Sequence, residues 1–389
     1  MLFIWNYDAF SLCVASDGME LVMQNNKVAI LSNTDIRHIT MICIYTDYFD
    51  MRNIPYEIIC TNRYNDKDIK FGNTTVYLYP VKGHEACKIR KVVDNFKFRR
   101  FAINILKKNH YKYVVVWNEY TMVLFSDFLA EYGRYCVNIR DIYFPRIPFF
   151  WKRLTDSVKH SDFATWCAQR GKEYLPTHDY YIVLNQNKKL VEGANISGGF
   201  VKKGNTIHIG AIGYIRHIDE SKRIMRVLCN DERYMLQFFG NGSENLLDYA
   251  KEIGMRNIEI IGTFRPEKTA ELLDKIDVIN ALVGDGRLNI EESLGSPIRY
   301  GYSTLLYKPA LVSPNTFLSE RTTELNIAFV VDDFQYLADR FYDWYYSLEF
   351  DEFKDGCEIY NHDFDESIWQ LHELCDKKIY PIIKGENNA

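Results

Sequence analysis

The sequence has no Cys-x-x-Cys pair, and its nine cysteines are widely scattered and odd in number. That spacing argues against both a disulfide framework and a zinc site, and it fits reduced, mostly buried thiols of a cytosolic protein. His372-x-x-Cys375 has no further ligand close by in sequence and reads as structural. Long apolar runs are also missing, so no stretch is expected to cross a bilayer. Met1 to Met23 is apolar only in patches, is broken by Asp8, Asp17 and Glu20, and has no basic leader. It is expected to be neither a signal peptide nor a spanning helix, and residues 1–26 read as an N-terminal extension or edge element. There is no excess of positive charge either. A formal net charge of -5 gives no reason to expect nucleic acid, which calls for a clearly basic surface. With 47% hydrophobic and 25% charged residues the chain has a soluble globular composition, and 389 residues are too many for one comfortable core.

What is present is an alternation of strand and helix patterns, clearest from Thr206 to Val331. Thr206-Ile-His-Ile-Gly-Ala-Ile-Gly-Tyr-Ile-Arg216 reads as a strand ending in a glycine turn, and Asp219 to Leu228 as the amphipathic helix after it. A second strand, Tyr234 to Phe239, stops at Gly240-Asn-Gly242, where Ser243 is placed to cap a helix over Glu244 to Ile253. Asn257 to Ile261 then predicts a strand ending at Gly262, Pro266 and Glu267 to Lys275 a helix, and Asp277 to Leu282 another strand. Alternation of this kind implies a parallel sheet covered on both faces, with ligands at the carboxyl ends of its strands. Each glycine turn lies at such an end. Exposed turn amides followed by a helix N-terminus suit an anion such as a diphosphate, and Arg216 and Lys222 stand just beyond the first turn. The same residues also fit tight turns with two solvated cations on a helix face.

The first half alternates likewise. Lys27 to Ser32, Glu57 to Cys60, Tyr113 to Trp117, Arg134 to Ile139 and Tyr181 to Leu184 read as strands. Asp35 to Met51, Lys88 to Lys108 and Tyr120 to Tyr132 read as helices. Periodicity vanishes near the linker, so the expected organisation is a domain over 27–185, a linker over 186–205, a second domain over 206–345 and C-terminal helices over 346–389. Asn138-Ile-Arg140-Asp141 follows a strand and aims a charged pair at the sheet edge, either toward a ligand or as a local ion pair. Lys88 to Lys108 is strongly basic, and Tyr143-Phe-Pro-Arg-Ile-Pro-Phe-Phe-Trp-Lys-Arg-Leu154 mixes aromatics with cations. Both suit either an anionic membrane interface or a solvated helix and a packed loop. Asp66-Lys-Asp68 and Asp363-Phe-Asp365 have the Asp-x-Asp form of a metal site without its context, so no catalytic metal is expected.

Four features in order carry a family resemblance. Gly213, Arg216 and Lys222 match a diphosphate-gripping turn; Phe238-Phe-Gly240-Asn-Gly242 matches a Phe-x-Gly-x-Gly turn; Gly262-Thr263-Phe264 matches a turn that touches the base; Leu272 to Asn280 matches a helix leading to an Asp-Val strand. Together they resemble the donor-binding half of group 1 (family 4) glycosyltransferases of the bacterial capsule and O-antigen type. The resemblance implies an α/β GT-B fold: two Rossmann-like, doubly wound parallel-sheet domains facing a cleft, with the C-terminal helix returning to the N-terminal domain. It also implies transfer of a sugar from a nucleotide diphosphate donor, a UDP-sugar, to a saccharide hydroxyl, with retention and without a metal or other cofactor. On this basis Gly213, Arg216, Lys222, Gly240, Gly242, Gly262, Thr263, Phe264, Pro297 and Arg299 hold the donor.

The family's paired glutamates, with seven residues between them, are incomplete here. Glu291 or Glu292 stands for the first, or both are solvated on a surface loop; the second is missing, and Tyr302 or Ser303 stands at the ribose; Pro297 and Arg299 fit a divergent form, and Lys308-Pro309 leads into the next strand. Asp141 would orient the acceptor hydroxyl or take its proton, with Asn33 and Arg140 on the acceptor side. A lipid-linked acceptor and a peripheral hold on the inner face of the cytoplasmic membrane, through Lys88 to Lys108 and Tyr143 to Leu154, complete the expectation. A nucleotide-sugar 2-epimerase and a non-catalytic nucleotide-binding protein of the same fold are the two rivals.

Overall fold

Short β-branched and aromatic runs, each followed by an amphipathic segment, form two parallel sheets in the computed structural model, which describes residues 26–65, 71, 72, 74–82, 87–141, 147–168, 170–284 and 297–385. The first sheet contains β1 (Val28–Asp35), β2 (Tyr56–Asn62), β3 (Val76–Pro80), β4 (Tyr113–Trp117), β5 (Tyr135–Ile139), β6 (Ala164–Trp166) and β7 (Tyr180–Ile182), in the order β3-β2-β1-β4-β5-β6-β7. The second contains β8 (Ile207–Ile212), β9 (Tyr234–Phe239), β10 (Ile258–Ile261), β11 (Val278–Asn280), β12 (Ala310–Val312) and β13 (Ala328–Val330), in the order β10-β9-β8-β11-β12-β13. Every pair of neighbouring strands is parallel. The central strands are buried almost throughout, as they must be when helices cover both faces. In each sheet the order reverses at the first strand, between β1 and β4 and between β8 and β11. Such a switch point opens a crevice at the carboxyl edge.

Helices α1 (Cys43–Met51), α2 (Lys88–Asn109), α3 (Glu119–Tyr132) and α4 (Pro148–Lys159) belong to the first domain. The second carries α5 (Ile218–Val227), α6 (Leu247–Glu252), α7 (Thr269–Leu273), α8 (Ile298–Leu306), α9 (Phe317–Leu325) and α10 (Leu337–Ser347). The long α11 (Phe350–Lys378) and short α12 (Tyr380–Lys384) close the chain. α11 belongs to both domains. Its first half places Phe353, Cys357 and Tyr360 in a core of the second, and its second half places Phe364, Leu371, Leu374 and Cys375 in a core of the first. Between those halves Gln186, at the crossover, donates to Asn361 Oδ1 at 2.7 Å and to Thr304 Oγ1 at 3.1 Å.

Local structure departs from the sequence reading where side chains compete for backbone amides. A helix was expected from Asp35, yet β1 runs through Asp35 and α1 begins only at Cys43. The Asp35 carboxylate accepts from Arg37 N at 3.0 Å and Arg63 N at 2.6 Å, which ties down two loops and leaves 3-10 turns in place of a helical start. Ser243 does not cap a helix. It lies inside a 3-10 turn, and its hydroxyl donates to the Ile261 carbonyl at 3.0 Å. β3 and β6 escaped the sequence reading because one is half-exposed and the other spans three residues, too few to show a period.

Candidate active site

At the switch point of the second sheet, the turns after β8 and β9 interlock. Gly213 N donates to Phe239 O at 2.9 Å, and Ile215 N donates to Asn241 O at 2.9 Å. Gly240, at φ +134°, comes so close that an added Cβ would stand 1.7 Å from the Gly213 carbonyl oxygen. Gly242, at φ +92°, would place one 2.5 Å from Ile215 O. Neither site admits a side chain. The amides of these two glycines are engaged, Gly240 N with Ile261 O at 2.8 Å and Gly242 N with Glu244 Oε2 at 3.1 Å. Gly213, Gly240 and Gly242 thus let the two loops pack closely, and their own three amides serve that packing.

That packing shapes a small, open recess lined by Ala211, Ile215, Arg216, His217, Glu220, Ser221, Asn280, Leu282 and Arg299. Arg216 follows the first glycine turn and lies 5.2 Å from the ring of Tyr214. Arg299 comes from the first turn of α8, for which Pro297 is the N-cap with φ -64°. The two arginines, distant in sequence, thus line one recess. His217 Nδ1 accepts from Gly284 N at 2.9 Å, so a neutral imidazole here carries its proton on Nε2. Asn280 ends β11 and accepts from Leu282 N at 3.1 Å. His217, Glu220 and Asn280 escaped the sequence reading, although Asn280 sits at the carboxyl end of a strand, the one signal that could have found it.

Other residues expected to hold the donor do not line this recess. Lys222 is not among the residues lining the recess; its ammonium sits 5.2 Å from the ring of Tyr249. Gly262, Thr263 and Phe264 leave β10, two strands from the switch point, with Thr263 exposed. Tyr302 and Ser303, expected at a ribose, are buried: Tyr302 joins the apolar core, and Ser303 donates its hydroxyl to Lys308 O at 2.5 Å. Lys308 itself caps the end of α7, with Nζ 2.6 Å from both Leu273 O and Ile276 O. Glu291 and Glu292 lie outside the described residues, as do Asp66 and Asp68. Asp363 pairs with Arg321 and Asp365 with Lys188.

Across the cleft, the carboxyl ends of β1, β4 and β5 carry a polar network. Asn33 N donates to Thr121 Oγ1 at 3.0 Å, and Asn118 links Thr34 and Thr121. Asn118 adopts φ 62° and ψ 158°, a region almost reserved for glycine, which its bonded side chain holds in place. Arg140 serves the crossover: Nε donates to Asn138 Oδ1 at 2.8 Å, and Nη1 to Val183 O at 2.9 Å and Asn185 Oδ1 at 2.6 Å. Burial pulls its pKa below the ordinary value, though a guanidinium stays charged. Its hydrogen-bond partners above do not include Asp141, whose charge nevertheless acts on it from a half-buried position at the edge of the cleft. Tyr64, a loop residue that no motif signalled, bridges the domains. Its hydroxyl lies 2.8 Å from His38 Nε2 and accepts from Asn241 Nδ2 at 3.3 Å.

No known protein-family profile and no curated protein sequence matches the chain. Solved structures do. Sucrose-phosphate synthase from Thermosynechococcus elongatus superposes with a TM-score of 0.64 at 11% identity, covering 90% of this chain and 98% of that one. An E. coli trehalose-6-phosphate structure bound with UDP-2-fluoro glucose gives 0.61 at 10% identity, over 92% and 99%. A Listeria monocytogenes protein assigned as a UDP-N-acetylglucosamine 2-epimerase gives 0.55 at 12% identity, over 85% and 91%. These likenesses establish the GT-B fold, two Rossmann-like domains facing a cleft.

Proposed function

We propose that the chain is a glycosyltransferase that moves a sugar from a UDP-sugar to a hydroxyl of a saccharide acceptor. The observation that carries this reading is the meeting of Arg216 and Arg299 in one recess at the switch point of the second sheet. Two forked cations beside interlocked turns suit a diphosphate, each charge-assisted bond contributing about 1.5–3 kcal/mol. As the sugar leaves, charge grows on the diphosphate. Groups aimed there can each lower the barrier by about 3–4 kcal/mol, so the reaction proceeds without a divalent cation, and the resemblance to the family 4 enzymes points to retention. Asp141 orients the acceptor hydroxyl from the opposite rim, and the family resemblance alone assigns the donor-sugar role to Glu291 or Glu292. The solved structure bound with UDP-2-fluoro glucose supports a uridine nucleotide. The acceptor belongs to surface-polysaccharide synthesis on a lipid carrier, and the protein works in the cytoplasm with a peripheral hold on the inner face of its membrane.

The likeness to a 2-epimerase favours one second reading, in which the donor is converted without any acceptor. Incubation with a panel of UDP-sugars, with and without membrane lipid extract, separates the two. Acceptor-dependent release of UDP, unchanged by a chelator, supports the transferase; conversion of a UDP-sugar alone supports the epimerase; binding of no nucleotide rejects both.

A further inference from the structure

The first turns of α2 are built with reversed polarity. Ile89, Val92, Val93 and Phe96 recur at the spacing of a helix face that normally turns inward, yet all four are exposed, Ile89 by 78% and Phe96 by 65%. The acid of the same stretch, Asp94, is the buried residue, paired with Arg90 at 3.1 Å. From Phe98 onward the helix is ordinary, with Phe98, Ala102 and Leu106 packed in the core. The N-terminal part of α2 therefore overhangs the domain. α4 repeats the pattern, since Phe149 is 64% exposed at its start while Leu154 and Val158 are buried.

The two overhangs are neighbours. Arg99 of α2 and Arg153 of α4 both pair with Asp127 of α3, each at 2.7 Å. Tyr120 accepts from Asn95 at 3.5 Å, and its ring lies tilted against that of Phe150 with centroids 6.1 Å apart. Both helices follow strands of the first sheet, β3 and β5, so their starts lie at its carboxyl edge, the rim of the cleft. Exposed cations Lys91, Lys97 and Arg100 accompany the apolar row. Arg99 and Arg153, held by Asp127, are not part of this collar, so the basic character noted along the whole segment divides into an inward and an outward set.

We propose that this overhang is a docking surface for an anionic bilayer. Ile89, Val92, Phe96 and Phe149 enter the boundary between headgroups and acyl chains, and Lys91, Lys97 and Arg100 meet the lipid phosphates. Apolar groups on a rim with a cationic collar fit that interface better than water or a neutral partner. Docking there sets the mouth of the cleft at the membrane plane, and in this it rests on the reading of the cleft as a transferase site for a lipid-linked acceptor.

The test is flotation of the full chain with phosphatidylcholine vesicles, with and without phosphatidylglycerol, at low and high salt, alongside UDP titration and light scattering. Binding to phosphatidylglycerol vesicles is expected, with a fraction surviving high salt. Val92→Glu with Phe96→Glu should lower it about tenfold or more, and Lys97→Glu with Arg100→Glu should remove its salt-sensitive part. Circular dichroism and UDP affinity should not change, because the substituted groups are exposed and lie outside the recess. No flotation under any condition, flotation of the first variant equal to that of the parent, or a dimer that this variant dissolves without vesicle binding would each overturn the proposal. UDP binding without flotation sinks the surface alone; flotation without UDP binding sinks the transferase reading alone.

Discussion

Arg216 and Arg299 show what a single charged group is expected to do here. Both line the recess, and neither is fully buried. Arg216→Ala or Arg299→Ala should weaken UDP binding by about 1.5–3 kcal/mol, roughly tenfold to a hundredfold, while the unfolding midpoint stays near that of the parent. Isothermal titration with thermal denaturation checks this, and unchanged affinity in both variants would remove the assignment. Arg140 predicts the opposite pattern. Because its guanidinium satisfies Asn138, Val183 and Asn185 at the crossover, Arg140→Ala should cost stability, about 1–3 kcal/mol, with little change in nucleotide affinity. A variant as stable as the parent that loses only acceptor turnover would instead make Arg140 an acceptor contact. Sequence reasoning could name Arg216, Arg299 and Arg140 as polar residues near strand or helix ends. It could not assign their partners, which come from segments far away in the chain.

Elements supply the rigidity those residues need. The turns after β8 and β9 are packed backbone against backbone, so Gly240→Ala must force either an unfavourable φ or a clash with the Gly213 carbonyl. A loss of at least about 3 kcal/mol is expected, with nucleotide affinity falling in parallel. Gly198→Ala, where an added Cβ meets nothing within 4 Å, is the matched control and should be close to neutral. Urea unfolding of the two variants decides it. The glycine pairs were legible in the sequence as turns at strand ends, since φ > 0 and a break in periodicity are local signals. Their interlocking was not, because it depends on the spacing of two parallel strands. The same limit explains Tyr302 and Ser303, whose burial is set by how α8 rotates onto its core.

At the scale of the whole molecule, α11 couples the two domains by lending a face to each core. Leu371→Ala should therefore cost about 2–5 kcal/mol, and calorimetry should show one transition moving as a unit. Two separated transitions would mean that the helix does not couple them. His372, on the same helix, lies 3.2 Å from the Ile44 carbonyl, and burial holds its pKa below the ordinary value. The unfolded chain binds that proton first, at about 6.5. Stability is then full above that pH and declines as the solution is acidified through it, down to the lower folded value. His372→Gln should flatten this part of the stability profile in urea titrations below neutral pH, and an unchanged slope would exclude the histidine as its source. The alternation of strands and helices, the two parallel sheets and the glycine turns at their edges were determined by the sequence alone, because hydrophobic period and backbone freedom are properties of neighbouring residues. Which cations share the recess, which turn inward to Asp127, and how α11 divides between two cores were decided only by the tertiary structure, because each depends on distances between segments that no local pattern encodes.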